Sequence, residues 1–414
     1  MDLRTLLSEG IAEKFMRYCR IDTTSVVGSE KTPSSEGQWV LAKMLAEELE
    51  ALGVKDVTIT DKCFVIGMIP SNVSGSPPAI GLIAHMDTVE GVPGKDVKPR
   101  LHRRWDGSPI KLADGIELGL HTSPELKDAV GLDLITSDGT TLLGADDKSG
   151  IAQIMQAVCK LHDDKGLKHG DVWIAFTPDE EGANGIGHFP VDIFKAKRAY
   201  TIDGGALGDF QDETFNAING RMKIYGISNH PGTARGRMTN AIHVMAQVLD
   251  IIPAGERPET TSDREGFIHP TEMSGSVEQA QCDFIIRDFE MDKAKAREKA
   301  FLDAAKALVA QHRGARLEWS SSIAYKNMRD LLQSEPRISD LARKAIIDEG
   351  LKLDERPIRG GTDGSRLSYM GILTPNLFTG GGDSHSRNEW ACVQWMESGS
   401  NVLLRLMALW AEEK

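Results

Sequence analysis

Acid and histidine clusters stand directly after apolar, strand-like runs in this chain, and that coincidence limits what it can fold into. His85-x-Asp87 follows Ala79-Ile80-Gly81-Leu82-Ile83-Ala84, Pro178-Asp179-Glu180-Glu181-Gly182 follows the run 172–176, and Ile202-Asp203-Gly204-Gly205 closes the run 199–202. Two further clusters, Gly144-Ala145-Asp146-Asp147-Lys148 and Asp383-Ser384-His385-Ser386, complete the set. Buried carboxylates are costly unless paired or bound to a metal, so acids that punctuate core strands at three places call for a cation. Ligands in open α/β sheets gather at the carboxyl ends of the strands. A pair of divalent ions about 3.5–4 Å apart needs a bridging carboxylate with imidazole and carboxylate ligands on both sides. The clusters supply such a set, and together they read as a two-metal hydrolase site. Each cluster alone has a plainer reading: His85-x-Asp87 as a surface pair, Asp146-Asp147 as a helix N-cap, Glu180-Glu181 as a solvated face.

At 414 residues the chain exceeds the size at which a single core stops growing, so two domains are expected. Lys and Arg number 48 against 61 Asp and Glu, a formal charge of −13, and no basic run suggests nucleic acid or anionic lipid as a partner. Met1-Asp2-Leu3-Arg4 starts no secretion signal, and no segment approaches about 18 uninterrupted apolar residues. The expected location is cytoplasmic, with no membrane span. Cys19, Cys63, Cys159, Cys282 and Cys392 are odd in number, scattered and never Cys-x-x-Cys, as expected of reduced core residues.

Helix and strand patterns alternate through the first two hundred residues, which indicates α/β, with amphipathic helices predicted over 6–18 and 38–52. Residues 87–138 are rich in Gly, Pro and isolated charges and read as a functional excursion beside the site, without a predictable fold. Residues 148–161 carry helical spacing, so Asp146-Asp147 stands at a helix N-terminus. After Gly208 the pattern changes to strand 222–227, helix 240–251, strand 275–287, helix 292–312 and strand 316–324. That order suits an α+β sandwich with helices on one face of an antiparallel sheet. A helix over 337–349, the Gly-rich segment Arg359-Gly360-Gly361-Thr362-Asp363-Gly364, an apolar strand and a helix ending at Trp410 restore α/β. Because His385 follows the middle segment and the other clusters precede it, residues 210–325 are expected to be inserted into one catalytic domain formed by 1–209 and 326–414.

The chain resembles the peptidase T family, the tripeptide aminopeptidase branch of the dinuclear zinc exopeptidase superfamily that includes aminoacylases and carboxypeptidase G. The resemblance covers almost the whole chain. It is most specific at Ala84-His85-Met86-Asp87-Thr88, Thr140-Thr141-Leu142-Leu143-Gly144-Ala145-Asp146-Asp147-Lys148-Ser149-Gly150, Phe176-Thr177-Pro178-Asp179-Glu180-Glu181, Ser228-Asn229-His230-Pro231-Gly232-Thr233-Ala234 and Phe284-Ile285-Ile286-Arg287-Asp288-Phe289. It implies a catalytic domain whose mixed sheet is flanked by helices, with the insertion serving as a lid and as a homodimer contact. It also implies two zinc ions, or Co2+ or Mn2+ in their place. Asp146 would bridge them, His85 and Asp203 completing one site and Glu181 and His385 the other. Glu180 would be the general base that activates a bridging water. Asp87 would hydrogen-bond the far nitrogen of His85, and the Asp146-Asp147 peptide would be cis. His230 would donate to the carbonyl oxygen, Arg287 would bind substrate carboxylate, and Arg359 and Asn240 would face substrate.

Three stretches depart from the family. Thr88-Val89-Glu90-Gly91 stands where Thr-Ser-Pro-Asp is expected, Gly182-Ala183-Asn184-Gly185-Ile186-Gly187 replaces Ile-Gly-x-Gly, and Asp383-Ser384-His385-Ser386-Arg387-Asn388-Glu389-Trp390 replaces Asn-Phe-His-Gly-Lys-His-Glu-Phe. All five metal ligands survive, so hydrolysis is expected to be retained while substrate preference is free to shift. The resemblance implies an aminopeptidase of short peptides, tripeptides foremost. A dipeptidase, a carboxypeptidase and an N-acyl amino acid deacylase use the same chemistry, and a non-catalytic peptide-binding homologue is the alternative outside it.

Overall fold

The runs that end in acids form the centre of a sheet. In the computed structural model, which describes residues 3–182 and 185–413, Ile80–His85 lies parallel to both Val172–Thr177 and Arg198–Gly204. Three carboxyl ends therefore open on one sheet edge. The full order is Lys55–Ile59, Val65–Ile69, Val172–Thr177, Ile80–His85, Arg198–Gly204, Asn376–Phe378, Asp209–Gln211 and Asp354–Glu355. Pairing is antiparallel at Lys55–Ile59 with Val65–Ile69 and at Val65–Ile69 with Val172–Thr177, so the sheet is mixed. Every residue of Ile80–His85 is buried. Successive side chains point to opposite faces, so a strand apolar at every position must be covered on both. Ile83 joins Phe64, Ile66, Phe189 and Phe194 in one cluster. The helix Ala145–Asp163 packs on Ile80–His85 and Arg198–Gly204 and contacts the helices Ile11–Cys19 and Val393–Ala411.

The excursion 87–138 is folded. Its strands Arg100–His102 and Leu134–Thr136 join Trp390–Cys392 and Gly381–Gly382 in a small four-stranded antiparallel sheet. Trp105, Leu112, Leu118, Leu126, Trp390 and Trp395 fill the core behind it. Two of its four strands flank the His385 loop, so the excursion anchors one of the sequence-predicted ligands.

The chain divides into two units, Met1–Asp212 with Asp330–Arg356 and Arg366–Lys414, and Glu213–Arg329 with Pro357–Ser365. The second is a four-stranded antiparallel sheet in the order Phe267–Gly275, Gln279–Asp288, Asn216–Tyr225 and Arg316–Tyr325. Ala280, Cys282, Phe284 and Ile286 alternate inward and meet Val244, Met245 and Val248 of the helix Ala241–Asp250 and Phe301 and Ala305 of Met291–Val309.

Three expectations change. The single strand over 275–287 is a hairpin, Phe267–Gly275 and Gln279–Asp288, because Gly275-Ser276-Val277-Glu278 makes the turn and Ser276 N donates to Gln279 O. The helix over 6–18 is two, Leu3–Ser8 and Ile11–Cys19, with Gly10 extended between them. Residues 357–365, taken by sequence as part of the first unit, lie with the second: Thr214 bridges to Ile358, and the Arg359 guanidinium donates to the carbonyls of Asp263 and Glu265.

Candidate active site

All five sequence-predicted ligands come together at the carboxyl edge of the parallel strands. His85 is the last residue of its strand, Asp203 lies near the end of Arg198–Gly204, and Glu181 follows Val172–Thr177 by one turn. Asp146 follows Gly144, whose φ of +83° turns the chain into the helix. The Asp146-Asp147 peptide is cis, as the resemblance implied.

Asp146 uses its two oxygens in two directions. Oδ1 lies 2.9 Å from His85 Nε2, and Oδ2 lies 3.2 Å from His385 Nε2. Each histidine has its own second carboxylate: Asp203 Oδ1 is 3.7 Å from His85 Nε2, and Glu181 Oε1 is 2.5 Å from His385 Nε2. Donors around one small divalent ion at about 2.0–2.2 Å from it stand roughly 3–4 Å apart, so the separations around Asp146 and Asp203 fit two ions that share Asp146, while Glu181 and His385 are in direct hydrogen bond. Two imidazoles and three carboxylates are donors suited to zinc, and with carboxylate weight also to manganese or cobalt.

The electrostatics fit the same donor set. Burial pushes the Asp203 carboxyl well above the carboxylate range, and the neighbouring Asp146 charge adds to the shift. Burial likewise raises Glu181 against the opposing hydrogen bond from His385. Burial would also raise Asp146, but the bonds from His385 and His85 outweigh it and hold this carboxyl below its ordinary value. His385 is pushed up to about 10 by its bonds to Asp146 and Glu181.

His85, Asp147 and Asp203 also present ligand atoms within 4.8 Å of one another, as do His85, Asp146 and Glu181. Asp147 is nevertheless occupied by the main chain. Its Oδ2 accepts from His85 N at 3.2 Å and its Oδ1 from Gly150 N at 3.1 Å, which caps the helix. It orients the strand end and the helix start rather than offering a free oxygen.

Asp87 is fully buried. Its carboxylate accepts from Glu180 N at 2.9 Å and Glu181 N at 3.0 Å, which fixes the loop that carries both glutamates. His85 Nδ1 is nearest the Asp87 main-chain oxygen, at 3.1 Å, with the carboxylate at 3.4 Å. One buried acid thereby holds a histidine ring and the Glu180 backbone together. Asp179, at φ +56°, is held in turn by Ser34 and by Gln38 Nε2 at 2.7 Å, while its own N–H donates to Gln38 Oε1. Ala183 and Asn184 of the altered stretch after Glu181 lie outside the described residues.

His230, Asn240, Arg287 and Arg359 belong to the second unit. His230 is exposed, and its Nδ1 accepts from Gly232 N at 3.1 Å, which leaves Nε2 to carry the proton of the neutral ring. Asn240 caps Ala241–Asp250, its side-chain oxygen accepting from Ile242 N at 2.9 Å. Arg287 and Arg359 are neighbours: Arg287 Nη1 donates to Arg359 O at 3.0 Å, and both guanidinium groups lie over Phe267. Arg359 Nη1 serves the main chain and its Nη2 donates to Thr261 Oγ1 at 2.9 Å, whereas Arg287 Nε is buried with no partner among the described residues.

The groups that sequence reasoning missed act through backbone. Ser34 and Gln38 hold Asp179, and Glu389 accepts from Leu143, Gly144 and Asp146. The available signal for Glu389 was the one already used elsewhere, an acid at the border of an apolar strand, here Trp390–Cys392.

Fold and site define a hydrolase built around a two-site carboxylate and imidazole cluster. The model of the peptidase family M20/M25/M40 matches residues 138–409, and the chain belongs to that family of peptidases. It is 43% identical to peptidase T of Escherichia fergusonii over 405 residues, 97% of this chain and 99% of that one. It is equally identical to peptidase T of Escherichia coli O1:K1 / APEC over 406 residues, 98% and 99% of the two chains. Among solved structures, aminopeptidase PepT from Bacillus cereus superposes with a TM-score of 0.76 at 23% identity, covering 97% and 98% of the two chains. A dinuclear metal-binding M20 peptidase from Bacillus subtilis gives 0.65 at 12%, covering 99% and 100%. Among the described residues no helix is long and apolar enough to cross a membrane.

Proposed function

We propose that this chain is a cytoplasmic metallo-aminopeptidase that hydrolyses the N-terminal peptide bond of short peptides, tripeptides foremost, with two zinc ions. The observation that carries the reading is Asp146, whose two oxygens face two histidines that each have a second carboxylate. The peptidase T relatives support the substrate class.

His85, Asp146 and Asp203 would hold one ion, and Asp146, Glu181 and His385 the other. When bound, the pair lowers the pKa of water and polarises the scissile carbonyl. Glu180, whose neighbour is a ligand and whose backbone is clamped by Asp87, takes the proton of the attacking water and returns it to the leaving amine. His230, with its proton on Nε2, is assigned to the carbonyl oxygen and Arg287 to the peptide carboxylate, with Arg359 and Asn240 as supporting substrate contacts. A homodimer formed through the second unit belongs to the same reading.

The test is release of the N-terminal residue from Ala-Ala-Ala beside Ala-Ala and N-acetyl-Ala-Ala-Ala, with chelated enzyme as control. Chelator-sensitive cleavage of the free tripeptide alone is expected. Preference for the dipeptide or the acylated peptide moves the assignment to a dipeptidase or deacylase, and no turnover favours a peptide-binding homologue. Glu180→Ala is expected to lower kcat by about 10²–10⁴ with metal content unchanged; near wild-type turnover would sink the base assignment.

A further inference from the structure

Glu389 is 1% exposed and commits both carboxylate oxygens to the turn that carries Asp146. Oε2 accepts from Leu143 N at 2.8 Å and Gly144 N at 2.7 Å, and Oε1 accepts from Asp146 N at 3.0 Å. Glu389 stands four residues after His385 and leads into the strand Trp390–Cys392. That strand is paired with Leu134–Thr136 on one side and Gly381–Gly382 on the other, so the loop holding His385 is pinned at both ends.

We infer that Glu389 is a positioning residue of the metal centre, one that fixes the spacing between Asp146 and His385. This rests on the two-metal reading above. Gly144 is left-handed, and the N–H groups around it converge on one point, the arrangement by which successive main-chain amides cradle an anion. Here the acceptor is a side chain from the segment bearing the last ligand. Three main-chain donors on one buried carboxyl group fix its position, and partners behind the ligands set their orientation. The His385 side chain is 47% exposed, so little packing holds the ring itself, and its backbone at φ +61° must be held from elsewhere. Glu389 supplies that hold, and it ties it to Asp146, the residue both metal sites share.

Glutamine at this position keeps the volume but offers one acceptor oxygen in place of two, so its NH2 confronts either Asp146 N–H or the Leu143 and Gly144 pair. Aspartate keeps both acceptors and falls short by one methylene. The experiment is zinc titration of the metal-free full chain in competition with a chromogenic chelator, alongside steady-state kinetics. Wild type should take up two equivalents. Glu389→Gln should weaken at least one of them by about 10–100-fold, with kcat falling further than KM rises and Glu389→Asp between Gln and wild type. Tyr200→Phe, which removes two buried bonds of 2.8 Å, to Ile338 O and from Trp410 Nε1, without touching a proposed ligand, controls for lost stability and should leave zinc affinity within twofold. Wild-type uptake below two equivalents overturns the two-metal reading and this inference with it. Two equivalents with both Glu389 variants within twofold of wild type, or a loss equalled by Tyr200→Phe, overturns this inference alone.

Discussion

Gly150→Ala sets two effects of known size against each other. Gly150 lies in the first regular turn of Ala145–Asp163, where alanine is the better helix former by about 1 kcal/mol. Space at this position says the opposite. A Cβ on Gly150 would stand 2.2 Å from Ile202 O and 2.4 Å from Asp147 Oδ1. The first is main chain of a central strand and cannot rotate away, so the helix start must move by about 1 Å to restore ordinary contact, an overpacking cost of about 1–3 kcal/mol. The second displaces the Asp147 carboxyl from Gly150 N and His85 N, and a buried N–H left without its acceptor costs about 1–3 kcal/mol. With the loss of one such bond and the propensity gain subtracted, net destabilisation is about 1–5 kcal/mol. Differential scanning calorimetry of the metal-free chain should show a fall on the order of 2–9 °C. Because Ile202 precedes Asp203 and Asp147 adjoins Asp146, zinc affinity should fall as well. An unchanged or raised melting temperature would refute the packing argument and leave helix propensity in command.

Asp87→Asn leaves one acceptor for two N–H groups that now use both oxygens; kcat is expected to drop about 10–100-fold, and wild-type kinetics would mean that Glu180 is positioned by other groups. Asp209 offers a pH test at a carboxyl that is not a proposed ligand. Burial raises its carboxyl to about 6, against the opposing bond from Gly205 N, and its Oδ1 has no partner among the described residues. A carboxyl raised in the folded state binds protons more tightly there than in the unfolded chain, so its ionisation costs stability as pH rises from about 4 through 6. The loss is about 2–3 kcal/mol and is complete near pH 7. Asp209→Asn should therefore flatten urea-denaturation stability across that window, and parallel wild-type and variant curves would count against it.

How much of this was legible in the sequence depended on whether a residue's role follows from its own neighbours. His85, Glu181 and Asp203 each end or follow an apolar run, and a run of one to two turns that must be buried on both faces has few other forms than a central strand. Gly275 was legible only as part of a strand, since a two-sided hairpin and one long strand share the same alternation until turn residues are weighed. The excursion 87–138 stayed opaque because its short strands pair with residues near 381 and 390, partners that no local pattern names. Arg359 was placed by its position after the second unit, but its guanidinium donors found carbonyls at Asp263 and Glu265, and partner choice of that kind is set by three-dimensional proximity alone. Glu389 was missed for a related reason: it binds main-chain amides, which carry no residue identity.

The division of the proposed ligands along the chain also imposes an order in time. His85, Asp146, Glu181 and Asp203 precede the second unit, and His385 follows Asp203 by about 180 residues. At synthesis rates of about 5–20 residues per second, a nascent chain displays four of its five ligands for roughly 10–40 s before the last is made. During that interval the His85, Asp146 and Asp203 side is complete in composition while the His385 side is not, so ribosome-bound chains have the donors for one ion before they have those for two.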